Sequence, residues 1–309
     1  MMRGIRTDLA MESIGEDCGR LEGVRVSTHR TGHITHTRIR IESDRAAELL
    51  GREKGEYVTL ECTELSQPDA RSREALARMV ALDIRRMLPK EGEVLVVGLG
   101  NRNVTADALG TRVVERMLVT RHLHQTIAEE LEGKLRGVSA IAPGVLGLTG
   151  IETAELCRGL VQHVKPAAVV AVDALAAYET QRICTAVQIT DAGIQPGSGV
   201  GNHRLGLTQE TLGVKVIAVG VPMVGYASTI ARDAMARLIA SSGACEPGEE
   251  EKAERMFQQA AEGFLGSMVV TPREIDELVL NVASLLADGL NRALQPALAA
   301  EDLHHYLHI

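Results

Sequence analysis

From Glu91 onward, short apolar runs alternate with segments of helical spacing, and this alternation limits the fold more than any other feature. Runs that are apolar throughout are typical of strands covered on both faces. Their order with the helices predicts an α/β fold with a doubly wound, mostly parallel sheet flanked by helices. The predicted strands are 94–97, 138–141, 168–172, 186–190 and 214–219, and the predicted helices are 107–123, 152–164 and 175–184.

The two ends of the chain have different patterns. Residues 35–42 alternate between polar and apolar side chains, which predicts an exposed antiparallel strand, and residues 57–62 predict another. A helix at about 70–88 is expected to join this antiparallel edge region to the main sheet. The final third predicts a helical layer at roughly 228–241, 250–265 and 272–295, with Thr271 as a cap and Pro272 at the first helical position.

Charge and apolar content limit the partners and the compartment. The formal net charge is -8, and no Lys/Arg-rich stretch is interleaved with aromatic residues, so we expect a basic protein rather than nucleic acid as the partner. The N-terminus lacks the apolar stretch of a secretory signal, and no apolar run is long enough for a membrane span. Five scattered cysteines are typical of reduced thiols, so a cytoplasmic protein is expected.

Two aspartates stand at ends of predicted parallel strands, where catalytic groups gather. Asp107 ends the polar segment that follows strand 94–97, and Asp173 comes directly after strand 168–172. Two close carboxylates can share one proton, which gives an acid and a base. The alternative is structural, because both aspartates also stand where a helix N-cap is expected.

Other catalytic patterns are incomplete. Residues 98–103 and 199–204 each lack one glycine of the dinucleotide fingerprint, and Ser198 lacks the first glycine of the serine hydrolase motif. Cys157 and Cys184 fall on helical patterns and are expected to be inert core thiols. We assign no metal to the clustered histidines, which are His29, His33, His36, His122, His124, His304, His305 and His308.

Several motifs in one order are together specific. The chain resembles the germination protease family of spore-forming bacteria, from the N-terminus to Leu294. The motifs are Val-Val-Gly-Leu-Gly-Asn (96–101), Val-Thr-Ala-Asp-Ala-Leu-Gly (104–110), Leu-Val-Thr-Arg-His-Leu (118–123), Ser-Ala-Ile-Ala-Pro-Gly-Val (139–145), Gly-Ile-Glu-Thr (150–153), Ala-Val-Asp-Ala-Leu-Ala-Ala (171–177), Gly-Ile-Gln-Pro-Gly-Ser-Gly-Val-Gly-Asn (193–202) and Glu-Thr-Leu-Gly (210–213).

This resemblance implies an atypical aspartic endopeptidase with a fold similar to the hydrogenase-maturation proteases. Its substrates would be small acid-soluble spore proteins, cut in the spore core during germination, and it would be a homotetramer without a cofactor. The proposed catalytic aspartates of the family match Asp107 and Asp173. The sequence departs from the family pattern at Ala106 and Thr111, where the family has prolines.

The resemblance also implies self-processing. Thr-Asp-Leu-Ala-Met-Glu at 7–12 resembles the processing site of the family, with the cut between Asp8 and Leu9. Residues 1–8 would then be a propeptide, and 9–309 a single α/β protease domain. Backbone N–H groups of the glycine-rich loop at Gly197, Ser198 and Gly199 are expected to bind substrate.

Two alternatives stay open from the sequence. One is a maturation protease of the same fold that recognises a metal on its substrate. The other is a module without enzyme activity that binds a nucleotide or metabolite, as the glycine-rich segments would allow.

Overall fold

The computed structural model describes residues 7–13, 21–63, 65, 69–125, 135–195, 205–242, 265 and 268–298. Nine strands in this part of the chain form one mixed sheet in the order β1-β2-β3-β7-β8-β6-β4-β5, with β9 paired to the end of β8. The strands are β1 Val24–Thr31, β2 Ile34–Ile41, β3 Gly55–Cys62, β4 Val94–Gly98, β5 Val138–Ile141, β6 Ala168–Ala177, β7 Ala186–Thr190, β8 Lys215–Tyr226 and β9 Val269–Val270.

Helices connect and cover the strands. The described α-helices are α1 Ala10–Ser13, α2 Asp44–Leu50, α3 Ala70–Met87, α4 Leu109–Val114, α5 Leu146–Thr149, α6 Thr153–Val164, α7 Gln209–Leu212, α8 Ala227–Ser242 and α9 Ile275–Leu294. Short 3₁₀-helices occupy Thr105–Asp107, Arg121–Gln125 and Thr180–Arg182. The α/β class, the antiparallel N-terminal edge and the C-terminal helical layer are confirmed. The predicted helix at 250–265 lies outside the described residues.

The sheet has a parallel half and an antiparallel half. Strands β5, β4, β6 and β8 are parallel, whereas β1, β2, β3 and β7 pair antiparallel and continue the sheet from β8. After β4 the chain crosses to β5 on one side and then returns to β6 on the other side. The strand order therefore reverses between β4 and β6, which makes their carboxyl ends the expected binding crevice.

Alternate residues of the central strands pack against different helical layers. Val94, Val96 and Val172 lie in the larger apolar cluster, which includes residues of α3, α4 and α9. Leu95, Val97 and neighbouring side chains face the opposite way, toward α6 and α7. Both faces of the parallel half are thus covered, which explains why its strands are apolar throughout. None of the described helices combines the length and the apolar character that a membrane span requires.

Two predicted helices are wrong. Residues 107–123 form only the short α4 and flanking 3₁₀-turns, because the buried Asn291 side chain accepts a hydrogen bond from the Leu118 N–H (2.9 Å) and donates one to the Arg116 carbonyl (3.1 Å). These tertiary bonds replace the helical ones. Residues 175–177 extend β6 instead of starting a helix, because Ala176 and Ala177 pair with β8.

The predicted helix caps also need correction. Asp107 ends a 3₁₀-helix and Asp173 lies inside β6, so neither residue is the N-cap of an α-helix. The last helix begins at Ile275, after Glu274, and not at Pro272. Val269 and Val270 are paired with β8 just before it, so the backbone is extended there and the helix starts later.

Candidate active site

Asp173 lies on β6 next to the reversal of strand order. Its backbone pairs with Gly220 of β8, and its side chain is 5% exposed. The Asp173 carboxylate accepts a hydrogen bond from the Ala174 N–H, at 2.9 Å. The carboxylate is thus buried at the C-terminal end of the parallel part of the sheet.

Asp107 reaches the same edge from the segment after β4. Its carboxylate accepts a hydrogen bond from the Asn101 N–H, at 2.8 Å. Gly100 allows this approach, because its φ is +100° and an added Cβ would lie 1.9 Å from the Asp107 carbonyl oxygen. A side chain at position 100 would push Asp107 out of its place.

One backbone hydrogen bond joins the two segments of chain that carry the aspartates. The Leu99 N–H donates to the Val172 carbonyl at 2.8 Å. Asp173 is the next residue after this carbonyl, and Asp107 is held by Asn101, two residues after Leu99. The backbone segments that carry the two aspartates therefore adjoin where β4 and β6 lie side by side. Their catalytic role stays a prediction.

The segment around Asp8 and Leu9 lies along the extension of β6. The Asp8 N–H donates to the Ala176 carbonyl at 3.0 Å, and the Asp8 carboxylate accepts from the Ala176 N–H at 2.8 Å. Leu9 is fully buried against Leu175 and Ala177. The predicted processing site is therefore docked three residues beyond Asp173 on the same strand.

Glu12 anchors this segment at its other end. Its buried carboxylate accepts from the N–H groups of Tyr178 (2.7 Å) and Glu179 (2.9 Å), from Thr7 Oγ1, and from Arg182. Burial raises the pKa of Glu12, and these hydrogen bonds and the charge of Arg182 oppose that rise. The contacts fix residues 7–12 on the sheet.

An open groove of about 830 Å³ runs beside the docked segment. Asp8, Arg52, Gln188 and Gly220 are among its lining residues. The described lining includes neither Asp107 nor Asp173, but Gly220 is the direct β8 partner of Asp173. The groove therefore reaches the β8 residue that pairs with Asp173, but the Asp173 side chain is not among the described lining residues.

Sequence reasoning missed Arg52 and Gln188. Both donate hydrogen bonds to the carbonyl oxygen of Asp8. Arg52 follows the glycine that ends α2 and belongs to no motif, so nothing in the sequence pointed to it. Gln188 carried a signal, because it is a lone polar side chain in the apolar strand β7. A buried polar group needs a partner, and here the partner is the N-terminal segment.

The other sequence candidates lie outside the described residues or at other places in the fold. Gly197, Ser198 and Gly199 lie outside the described residues, as do the three C-terminal histidines. His36 Nε2 lies at hydrogen-bond distance, 2.8 Å, from Asp83 Oδ2 of α3, which gives this histidine a structural role. Among the described residues there is no group of three or more side chains of His, Cys, Asp or Glu that could hold a metal ion.

The buried cysteines lead to a prediction. Burial raises the pKa of the Cys157 thiol to about 11 and that of Cys184 to about 12. We expect both thiols to resist iodoacetamide at pH 8 in the folded protein and to react fully in guanidinium, as measured residue by residue with mass spectrometry. Full labelling of either thiol in the folded protein would contradict this.

The same thiols affect stability at high pH. In the unfolded chain they ionise above the ordinary pKa of 9.0, whereas the folded protein keeps them protonated to about 11 and 12. Their contribution to stability is therefore complete below pH 9 and is lost as the pH rises through this range.

Comparisons with known proteins show the family of the chain. A family model described as germination protease matches residues 5–267. A germination protease of Caldanaerobacter subterraneus subsp. tengcongensis is 42% identical over 324 residues, covering 99% of this chain and 98% of that protein. The germination protease of Clostridium acetobutylicum is 38% identical, with 99% and 100% covered. That of Bacillus cereus (strain ATCC 10987 / NRS 248) is 37% identical, with 98% and 97% covered.

Among solved structures, a [NiFe] hydrogenase maturation protease, HycI, from Thermococcus kodakarensis is similar. It is 20% identical with a TM-score of 0.29, and the match covers 58% of this chain and 97% of that one. With a family match over most of its length and relatives that it covers almost end to end, the chain belongs to the germination protease family.

Proposed function

We propose that this protein is an endopeptidase that begins the degradation of small acid-soluble spore proteins in the spore core during germination. Membership of the germination protease family makes it a peptidase with a role in germination and favours this function over a nucleotide-binding module. The net charge of -8 suits substrates that carry basic residues. Substrates that are disordered when off DNA would present extended chains without an unfolding step.

The placement of Asp107 and Asp173 at the reversal of strand order is the observation that carries the catalytic proposal. In this mechanism one aspartate is ionised and takes a proton from water, which attacks the peptide carbonyl carbon. The other is protonated, hydrogen-bonds the carbonyl and then gives its proton to the leaving amine. Two carboxylates that act on one water molecule would share a proton in this way, because two close negative charges repel each other. No covalent acyl-enzyme forms.

We also propose that the chain is made as a zymogen that cuts itself between Asp8 and Leu9 and assembles as a homotetramer. Docking of residues 7–12 supports the processing step, because hydrogen bonds with Ala176 hold Asp8 on the strand that carries Asp173. Residues 1–8 would be released, and 9–309 would form the mature enzyme. The glycine-rich loop at 197–201 is proposed to contact the substrate.

Mass spectrometry of the purified full chain tests this function. On mild acidification we expect a new N-terminus at Leu9, and the processed enzyme should cut a peptide containing Glu-Ile-Ala after the glutamate. A peptide with Lys in place of the Glu is the matched control and should stay intact. A cut elsewhere in the chain would refute the processing site, and cleavage that requires added metal would favour the metal-recognising maturation protease.

A further inference from the structure

The carbonyl oxygen of Asp8 is held by two side-chain donors. Gln188 Nε2 donates to it at 2.9 Å, and Arg52 Nη1 donates at 3.1 Å. Arg52 also reaches the neighbouring carbonyls through Nη2, at 2.8 Å from Thr7 and 3.2 Å from Leu9. The peptide units around Asp8 therefore accept more hydrogen bonds than the docking of a loose N-terminal tail requires.

Both donors have a second partner in the same N-terminal segment. The Oε1 atom of Gln188 accepts from the Ala10 N–H at 2.7 Å, which turns Nε2 toward Asp8. Arg52 Nε donates to Ser13 Oγ at 3.0 Å. Burial lowers the pKa of Arg52, while the charge of Asp8 opposes this, and an arginine still keeps its proton.

The position of Gln188 relates the hydrogen bonds at the Asp8 carbonyl to the candidate aspartate Asp173. Gln188 of β7 pairs with Gly220, and Gly220 pairs on its other side with Asp173. The three residues form one row across adjacent strands, so the Cα atoms of Gln188 and Asp173 are about 10 Å apart. Side chains that rise from one face of this row can act on the same peptide bond.

We propose that Arg52 and Gln188 form the oxyanion site of this enzyme, where they hold the carbonyl oxygen of the residue that precedes the scissile bond. This inference rests on the proposed cut between Asp8 and Leu9. When the water oxygen bonds to the Asp8 carbonyl carbon, its proton passes to the ionised aspartate, and the carbonyl oxygen becomes negative. The two donors stabilise this charge until the C–N bond breaks and the protonated aspartate supplies the amine with its proton.

The residues after the bond show what the site selects. The Leu9 side chain is fully buried among Leu175, Ala177 and their apolar neighbours, so an apolar residue fits there. Ala10 is fully buried in the cluster that includes Ile39 and Tyr57, so a larger side chain would not fit. A substrate that binds as this segment does would thus have an acidic residue before the scissile bond, an apolar residue directly after it and alanine next.

Gln188→Glu tests the inference in the full-length chain, because the carboxylate keeps the size of the amide and the acceptor for Ala10 but loses the donor. We expect the rate of self-cleavage, and kcat of the processed enzyme on the Glu-Ile-Ala peptide, to fall about 10²-fold. KM should change less than about threefold. Arg52→Lys keeps the charge but loses the fork of donors, so a smaller loss of kcat is expected.

Gln162→Glu and Arg45→Lys are the matched controls, since both side chains are exposed and away from the segment. Both should keep the wild-type rates. If Gln188→Glu does not fold, as judged by thermal unfolding, Gln188→Met supplies an apolar replacement and should show the same loss of kcat. Wild-type kcat in a folded Gln188 variant would overturn the oxyanion site while leaving the protease intact. Absence of any cleavage by the wild type would instead overturn the proposed function.

Discussion

Asp173→Asn is expected to lower the rate of peptide cleavage about 10³-fold, because an amide can neither take the proton of the attacking water nor give a proton to the leaving amine. The amide keeps the size of the carboxylate and still accepts the hydrogen bond from the Ala174 N–H, so the fold should be preserved. Asp107→Asn should cause a similar loss, since its amide oxygen still accepts from the Asn101 N–H. The measurement is the initial rate on the Glu-Ile-Ala peptide, together with the rate at which the Leu9 N-terminus forms.

Asp276→Asn is the matched control for both variants. Asp276 is exposed in the first turn of α9, so this change should leave the rates unaltered. Thermal unfolding shows whether each variant is folded. A folded Asp107 or Asp173 variant that cuts at nearly the wild-type rate would remove that residue from the catalytic mechanism.

The parallel half of the fold could be predicted because its signal is local. Residues 94–98 and 168–172 are apolar throughout, and a strand covered on both faces requires this pattern. Where a strand or helix ends, by contrast, depends on contacts with residues that are distant in sequence. Residues 174–177 suit a helix by composition, but Ala176 is bonded to Asp8, and no local pattern reports that contact. In the same way, the helical pattern after α4 is interrupted because Asn291, which lies far away in sequence on α9, accepts a hydrogen bond from the Leu118 N–H.

The site could be predicted only in part, for the same reason. Asp107 and Asp173 follow strands whose order places their carboxyl ends together, so spacing and topology point to them. Arg52 lies after a helix in the antiparallel edge region, and only the folded path of the N-terminal segment brings it to the Asp8 carbonyl. A buried polar residue such as Gln188 is a signal that a partner exists, but the sequence does not identify the partner.

Gly110→Ala is expected to destabilise the fold and to reduce cleavage together. A Cβ at this position would lie 2.3 Å from the Val172 carbonyl oxygen and 2.5 Å from both the N and O atoms of Leu99. These are backbone atoms of the hydrogen bond that relates the two aspartates, so they cannot move aside as a flexible side chain could. We expect a loss of about 3 kcal/mol in the free energy of unfolding, which lowers Tm by roughly 5 °C in a chain of 309 residues.

Gly159→Ala is the matched control, because it makes the same replacement of glycine by alanine without the steric clash. Gly159 is exposed on α6, and an added Cβ there would meet nothing within 4 Å. Alanine is the better helix former, so this variant should gain about 0.5–1 kcal/mol and keep the wild-type rate of cleavage. A Gly110→Ala protein with the wild-type Tm would mean that α4 does not pack on the β4–β6 backbone as described. Wild-type cleavage by a destabilised Gly110→Ala protein would show that catalysis does not depend on the bond between Leu99 and Val172.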